Sequence, residues 1–230
     1  MKAVLASGHG VHFTETATLL DGSVTRQERR RKGIFEFGKK VGVKSLDVTT
    51  AGGEDGRERA IGFNHPIGGT SYQSGGLIGK WLRNGKTWLE GSHQLYLHHT
   101  ALLGDDEQLI NPTEPATLAA LLKNGQTSGN TVTGVITFKE LEKVSLWFGQ
   151  SAHRSWDGDT KLSYTLTVTS AGLVSRVQSM YTVSDTDLEE LVGKTFHVDT
   201  RYSRWGDTLS IKAPDRRKTT TELCIDDFCN

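Results

Sequence analysis

Apolar and polar residues alternate along much of this chain, and this two-residue period restricts the possible folds more than any other feature. It is clearest in residues 11–19, 162–169 and 177–183. Successive side chains of a β-strand point to opposite faces, so the pattern predicts strands with one packed face and one face in water. The sequence therefore predicts a mainly β (α+β) protein with one antiparallel sheet of eight or more strands.

Turn signals separate the predicted strands. Asp21-Gly22, Gly52-Gly53 and Ala171-Gly172 each fall between alternating runs. Asn84-Gly85 lies between Trp81-Leu82 and Trp88-Leu89, which predicts a β-hairpin with a type I′ turn.

Three stretches have helical spacing instead. Pro115 and the leucines that follow it predict a helix over 114–124, with Thr113 as its cap. A second helix is predicted over 140–149 and a short third one over 185–192. With so few helices, we expect them to cover the concave face of a strongly curved sheet, a half-barrel, and to leave a ligand-sized trough.

The length of 230 residues suits one β-rich domain, which we place at residues 1–214, with residues 215–230 as a charged, loosely held C-terminal tail. The 27 basic and 27 acidic residues balance, which argues against a nucleic-acid partner. No apolar run approaches the ~20 residues of a transmembrane helix, so no transmembrane segment is expected. Without a recognisable leader, the chain as written is expected in the cytoplasm.

A basic run at residues 26–32 stands out against this balance. Its charges alternate between the two faces of a strand, so only half of them could meet one partner. We interpret the run as a solvated edge strand that charge protects from aggregation.

No motif for nucleotide, metal or hydrolytic chemistry is present. A phosphate-binding loop, a nucleophile elbow and metal-ligand spacings are all missing, so we expect no cofactor and no metal site. Cys224 and Cys229 could close a small disulfide, but in a cytoplasm we expect free thiols.

Large aromatic residues cluster around the predicted helices. We expect an apolar cavity of about 300–1,000 Å³ there, the usual size of a small-molecule site. Its predicted ligand-binding residues are Trp81, Trp88, Leu118, Leu122, Trp147 and Tyr164.

The C-terminal half also carries a family resemblance. Four segments follow one another in an order similar to that in actinobacterial lipoproteins of the LppX/LprG type. They are Leu162–Thr169, Ser170–Val177, Val198–Gly206 with its Arg-Tyr-Ser-Arg-Trp-Gly segment, and Ile211–Pro214. These proteins are relatives of the LolA carrier fold. The resemblance implies a half-barrel around a cavity for acyl chains, with no catalytic motif. Unlike members of that family, the chain as written is expected to lack a leader and a lipidated cysteine near its start.

Three functions follow from this reading. The first is a cofactor-free cyclase or isomerase of specialised, polyketide-type metabolism that folds an apolar substrate by shape and hydrogen bonding. The second is a lipid-binding carrier lipoprotein whose leader has been removed, anchored outside the cell. The third is a non-enzymatic interaction module with a filled core.

For the enzyme, polar groups near the tryptophans are the candidate catalytic residues. A partly desolvated carboxylate or imidazole there would titrate nearer neutrality and suit proton transfer. The candidates are His65, Tyr72, Glu90, His93 and Tyr96. The expected partner of the first two functions is an apolar small molecule or an acyl chain.

Overall fold

The computed structural model describes residues 4–39, 43–53, 56–63, 69–92, 107–151, 156–185, 189–225 and 228–229. Twelve strands of this part form one open, curved sheet. They are β1 (His9–Asp21), β2 (Val24–Phe37), β3 (Val43–Gly53), β4 (Gly56–Phe63), β5 (Thr70–Gly75), β6 (Trp88–Ser92), β7 (Gln126–Ser128), β8 (Thr131–Thr137), β9 (Lys161–Val168), β10 (Val174–Thr182), β11 (Thr195–Thr208) and β12 (Thr219–Thr220).

The sheet consists of two runs of sequential strands joined at their first and last members. Its order is β12-β6-β5-β4-β3-β2-β1-β11-β10-β9-β8-β7. The first run is β1 to β6, the second is β7 to β11, and β1 pairs antiparallel with β11 to connect them. Every pair is antiparallel except β12 with β6, which is parallel. The predicted single curved sheet is confirmed, and the short parallel pair makes it mixed.

Alternating burial follows the period read from the sequence. Phe13 of β1 is buried while Thr14 is exposed, and Leu162, Tyr164 and Leu166 of β9 are all buried. We call the face that carries these buried side chains the inner face and the opposite one the outer face. The side chains of the inner face pack into one hydrophobic core.

Three α-helices accompany the sheet within the described residues: α1 (Gly76–Trp81), α2 (Pro115–Asn124) and α3 (Phe138–Val144). Leu118 and Leu121 of α2 and Leu141 of α3 are buried in the core, so these two helices cover the inner face as predicted. The Tyr164 hydroxyl donates to the Leu121 carbonyl at 2.7 Å and fixes the end of α2 to β9.

The second and third predicted helices are shorter than expected. A capping box of Thr137 and Glu140 starts α3 two residues before the predicted start, and Ser145 ends it with extended backbone. Only a 3-10 turn, Phe148–Gln150, follows. In the described part of 185–192, the chain forms a 3-10 turn over Glu189–Leu191.

The Asn84-Gly85 hairpin prediction is wrong, although the turn exists. Asn84 and Gly85 both have positive φ, 55° and 70°, as a type I′ turn requires. The turn joins α1 to β6 rather than two strands. Gly75 and Gly76, also at positive φ, turn the chain out of β5 and into a helix before Trp81 can pair as a strand.

The segment after Pro214 is held to the sheet, so the expectation of a loose tail is wrong. Thr219 and Thr220 pair with Trp88 and Leu89 at the sheet edge, and the Thr87 amide donates to the Lys218 carbonyl. Beyond them lie two short strands, β13 (Cys224–Ile225) and β14 (Phe228–Cys229).

The free-thiol prediction for the cysteines is also wrong. Cys224 is disulfide-bonded, and Cys229, the only other cysteine of the chain, lies opposite it in the β13–β14 pair.

Candidate functional site

The basic run does not form an edge strand, which corrects our interpretation of it. It belongs to β2, which lies in the interior of the sheet between β1 and β3. Its alternation places Arg31 on the inner face and Arg30 and Lys32 on the outer face. One run therefore supplies positive charge to two different environments.

On the inner face, Arg31 is the centre of a buried ionic cluster. Its guanidinium donates to Glu15 through Nε, at 2.9 Å, and through Nη2, and to Glu107 through Nη1. The three side chains are only 7 %, 3 % and 5 % exposed. Thr200 adds a hydroxyl donor to Glu15 at 2.7 Å. Such a pairing is required because an unpartnered buried charge is very costly.

A small inner cavity lies against this cluster. Its volume is about 20 Å³, room for about one water molecule. Apolar side chains form most of its wall, with Trp147 donating its indole N–H to the Gln108 carbonyl at 3.0 Å. Burial raises the pKa of Tyr202, which also lines it, well above the usual tyrosine value, and the Glu15 charge adds to this. At neutral pH Tyr202 is therefore a neutral phenol.

The predicted ligand-binding residues do not converge on one cavity. Leu118, Trp147 and Tyr164 are buried by core packing, and of the six only Trp147 lines the inner cavity. Leu122 is 49 % exposed. Trp81 and Trp88 are half-buried, and the Trp88 ring is covered by the Arg59 guanidinium, 5.6 Å from its centroid.

Two of the five predicted catalytic residues lie in the described part. Tyr72 and Glu90 are opposite each other on β5 and β6, and Glu90 accepts a hydrogen bond from Tyr72. Burial and the Glu90 charge raise the pKa of Tyr72, so it is a hydrogen-bond donor at neutral pH rather than a base. His65, His93 and Tyr96 lie outside the described residues.

The large cavities of the described residues are on the outer face. Two of them, about 830 Å³ and 590 Å³ in volume, share Thr14, Lys32, Thr49 and Arg57. We call this continuous surface the outer groove. It runs over β11, β1, β2, β3 and β4.

Positive charge predominates in the outer groove. Six of its basic side chains and two of its carboxylates belong to the outer face. The basic residues are Arg30, Lys32, Arg57, Arg59, Arg201 and Arg204, and the acidic residues are Asp47 and Asp199.

Both carboxylates already form salt bridges. Arg59 donates to Asp47 at 2.9 and 2.6 Å. Arg176 donates to Asp199 at 2.7 and 2.5 Å and, with help from Arg201, lowers the pKa of that carboxyl. These acids are thus engaged by their own partners.

Three cations remain without a salt bridge among the described residues: Lys32, Arg57 and Arg201. All three are exposed. Sequence reasoning anticipated that half of the basic run shares a face, but not that β4 and β11 add Arg57 and Arg201 beside it. Predicting that these residues lie side by side would have required the order of the strands in the sheet.

Comparison with protein-family models and with curated proteins gives no match to this chain. Within the described residues, no three His, Cys, Asp or Glu side chains are grouped as metal ligands. None of the helices in that part has the length and apolarity needed to cross a bilayer.

Proposed function

We propose that this protein is a non-enzymatic interaction module that binds an anionic partner in the outer groove. The observation that carries the proposal is the set of three exposed cations that form no salt bridge with any described residue, in a groove large enough for a ligand. Charge of one sign concentrated in a concavity attracts the opposite charge. This is notable in a chain whose net charge is zero.

The inner face supports this choice over the two apolar-ligand functions. A cyclase substrate or an acyl chain needs several hundred cubic ångströms. The described inner cavity has about 20 Å³, because Trp147, Phe35 and Ile110 fill the space between sheet and cover. The cyclase and the LppX/LprG-type carrier remain predictions that require these side chains to move apart.

The disulfide at Cys224 supports an extracellular location for this module. Disulfides persist in oxidising compartments and are rare in the cytoplasm. Of the two locations predicted from the sequence, the cytoplasm and the outside of the cell, we therefore prefer the outside of the cell.

Salt-dependent retention on a negatively charged resin tests the proposal. At pH 8, above the pI of about 7.1, a protein without a positive patch is not retained. We expect the wild type to be retained at low salt and the Lys32→Ala/Arg57→Ala/Arg201→Ala variant to pass through. The matched control, Lys123→Ala/Lys161→Ala/Lys212→Ala, removes the same charge from exposed residues outside the groove and should still bind.

Equal elution of the two triple variants would contradict the groove as the binding surface. Native mass spectrometry of protein from its own host gives a second check. A co-purified apolar molecule bound one to one would overturn the proposal in favour of the carrier or the cyclase.

A further inference from the structure

The three cations of the outer groove that form no salt bridge within the described residues lie on every second strand. Arg201 is on β11, Lys32 on β2 and Arg57 on β4, with β1 and β3 between them. Arg201 and Lys32 are both opposite Thr14, whereas Thr49 is opposite Lys32 on one side and Arg59 on the other, so Arg57 lies two residues along β4 from the position in register with Lys32. We call these three residues the cation row.

The spacing in the cation row follows from sheet geometry. Neighbouring strands are ~4.8 Å apart, so backbone positions two strands apart are separated by about 10 Å. The row therefore crosses four interstrand gaps with a period of about 10–12 Å, because Arg57 is displaced by two residues along β4 from the position in register with Lys32. A compact anion reaches one of these cations, whereas a chain lying across the strands reaches all three.

Hydroxyl groups fill the gaps between the cations. Thr14 is exposed and Thr49 half-buried, and neither hydroxyl is hydrogen-bonded within the described residues. The groove therefore offers, in turn, a charge and a hydrogen-bonding hydroxyl. A polysaccharide with one carboxylate in each disaccharide presents the complementary sequence of groups, and a disaccharide repeat has about the length of one period.

Nucleic acid suits the surface less well. Single-stranded nucleic acid is usually held by aromatic side chains on which bases stack. The aromatic residues lining the groove are Phe13, whose ring is on the inner face, and His12. The nearby Trp88 ring is covered by Arg59.

We propose that the outer groove binds a linear uronate-bearing polysaccharide that lies across the strands, with successive carboxylates on Arg201, Lys32 and Arg57. This rests on the proposed function and adds the class and direction of the ligand. Each exposed ion pair contributes 0.2–1 kcal/mol, so each added carboxylate should strengthen binding about 1.4- to 5-fold.

Titration with hyaluronate di-, tetra- and hexasaccharides tests the inference, because these carry one, two and three carboxylates. We expect affinity to rise at each step up to the hexasaccharide. Free glucuronate, inorganic phosphate and polyuridylate are the comparison ligands.

A charge-relocation variant separates spacing from simple attraction. Lys32→Thr combined with Thr49→Lys keeps composition and net charge but moves the middle cation one strand toward Arg57. We expect it to lose the gain of the hexasaccharide over the tetrasaccharide while keeping retention on the anionic resin. Lys161→Ala, outside the groove, should behave as wild type, and unchanged thermal melting shows that each variant is folded.

The outcomes separate the two proposals. The polysaccharide inference fails, and anion binding stands, if glucuronate or phosphate binds as tightly as the hexasaccharide. The same conclusion follows if the relocation variant binds the hexasaccharide with wild-type affinity. Tighter binding of polyuridylate than of the hexasaccharide overturns the inference in favour of nucleic acid. If no anion binds and the resin retains nothing, both proposals fail.

Discussion

Replacing Arg31 with methionine should be among the most destabilising single changes in this protein. Methionine keeps much of the volume but removes the cation between Glu15 and Glu107, which are 3 % and 5 % exposed. Breaking a buried ion pair by removing one partner costs about 3–5 kcal/mol, because a charge is left buried and unpaired. Here two carboxylates lose their shared partner, so we expect the upper part of that range.

Urea unfolding at pH 7, followed by tryptophan fluorescence, measures this cost. With an m-value of roughly 3 kcal/mol per molar urea, the midpoint should fall by about 1–2 M. Lys32→Met is the matched control, since it changes the next residue of the same strand on the exposed outer face, and it should cost at most about 0.5 kcal/mol.

A further variant distinguishes lost charge pairing from lost packing. Replacing the whole cluster, with Glu15→Leu, Arg31→Met and Glu107→Leu together, leaves no charge unpaired. Such replacements are often neutral or stabilising, so this variant should recover most of the loss. An Arg31→Met variant no less stable than Lys32→Met would refute the assignment of a buried ionic cluster.

Three further predictions concern other contacts. Burial raises the pKa of Glu36, but hydrogen bonds from the Ile211 amide, Lys44 and Ser45 outweigh this effect and hold the pKa below its usual value. The resulting stabilisation is present above about pH 4.3 and is lost as the pH falls further. Glu36→Gln should therefore flatten the fall in unfolding free energy at acid pH, and an unchanged pH dependence would contradict this role of Glu36. Tyr164→Phe removes the hydrogen bond to Leu121 and should cost about 0.5–1.5 kcal/mol in urea unfolding, whereas no loss would mean that water replaces it. Native protein should show no reactive thiol to a thiol reagent until a reductant is added, and two thiols without reductant would exclude the disulfide at Cys224.

The sheet and its core were predictable because they depend on local periodicity. The alternation in β9 marks Leu162, Tyr164 and Leu166 as buried, and they are. Pro115 and its leucines likewise specify α2, because proline at the first turn and an apolar stripe are local signals.

Features set by neighbours in space were not predictable. The charge of residues 26–32 suggested an edge strand, but the acids that neutralise Arg31 come from β1 and from residue 107, distant in sequence. The Asn84-Gly85 turn was recognised, yet its role depended on the two preceding glycines at positive φ. The outer groove likewise required the strand order, since Arg57 and Arg201 are 144 residues apart in the numbering.

The pairing of β1 with β11 has a consequence for how the protein folds. Each run of sequential strands can form hairpin by hairpin, from contacts between near neighbours in the chain. Joining the runs brings Glu15 opposite Thr200, which encloses nearly the whole chain in one loop. Closing so large a loop carries a high entropic cost, so we expect this seam to form late and to limit the folding rate. Destabilising substitutions at the seam, such as Ala17→Gly, should then slow refolding in stopped-flow experiments, because the seam contacts are made in the rate-limiting step, and faster unfolding with unchanged refolding would place the seam after that step.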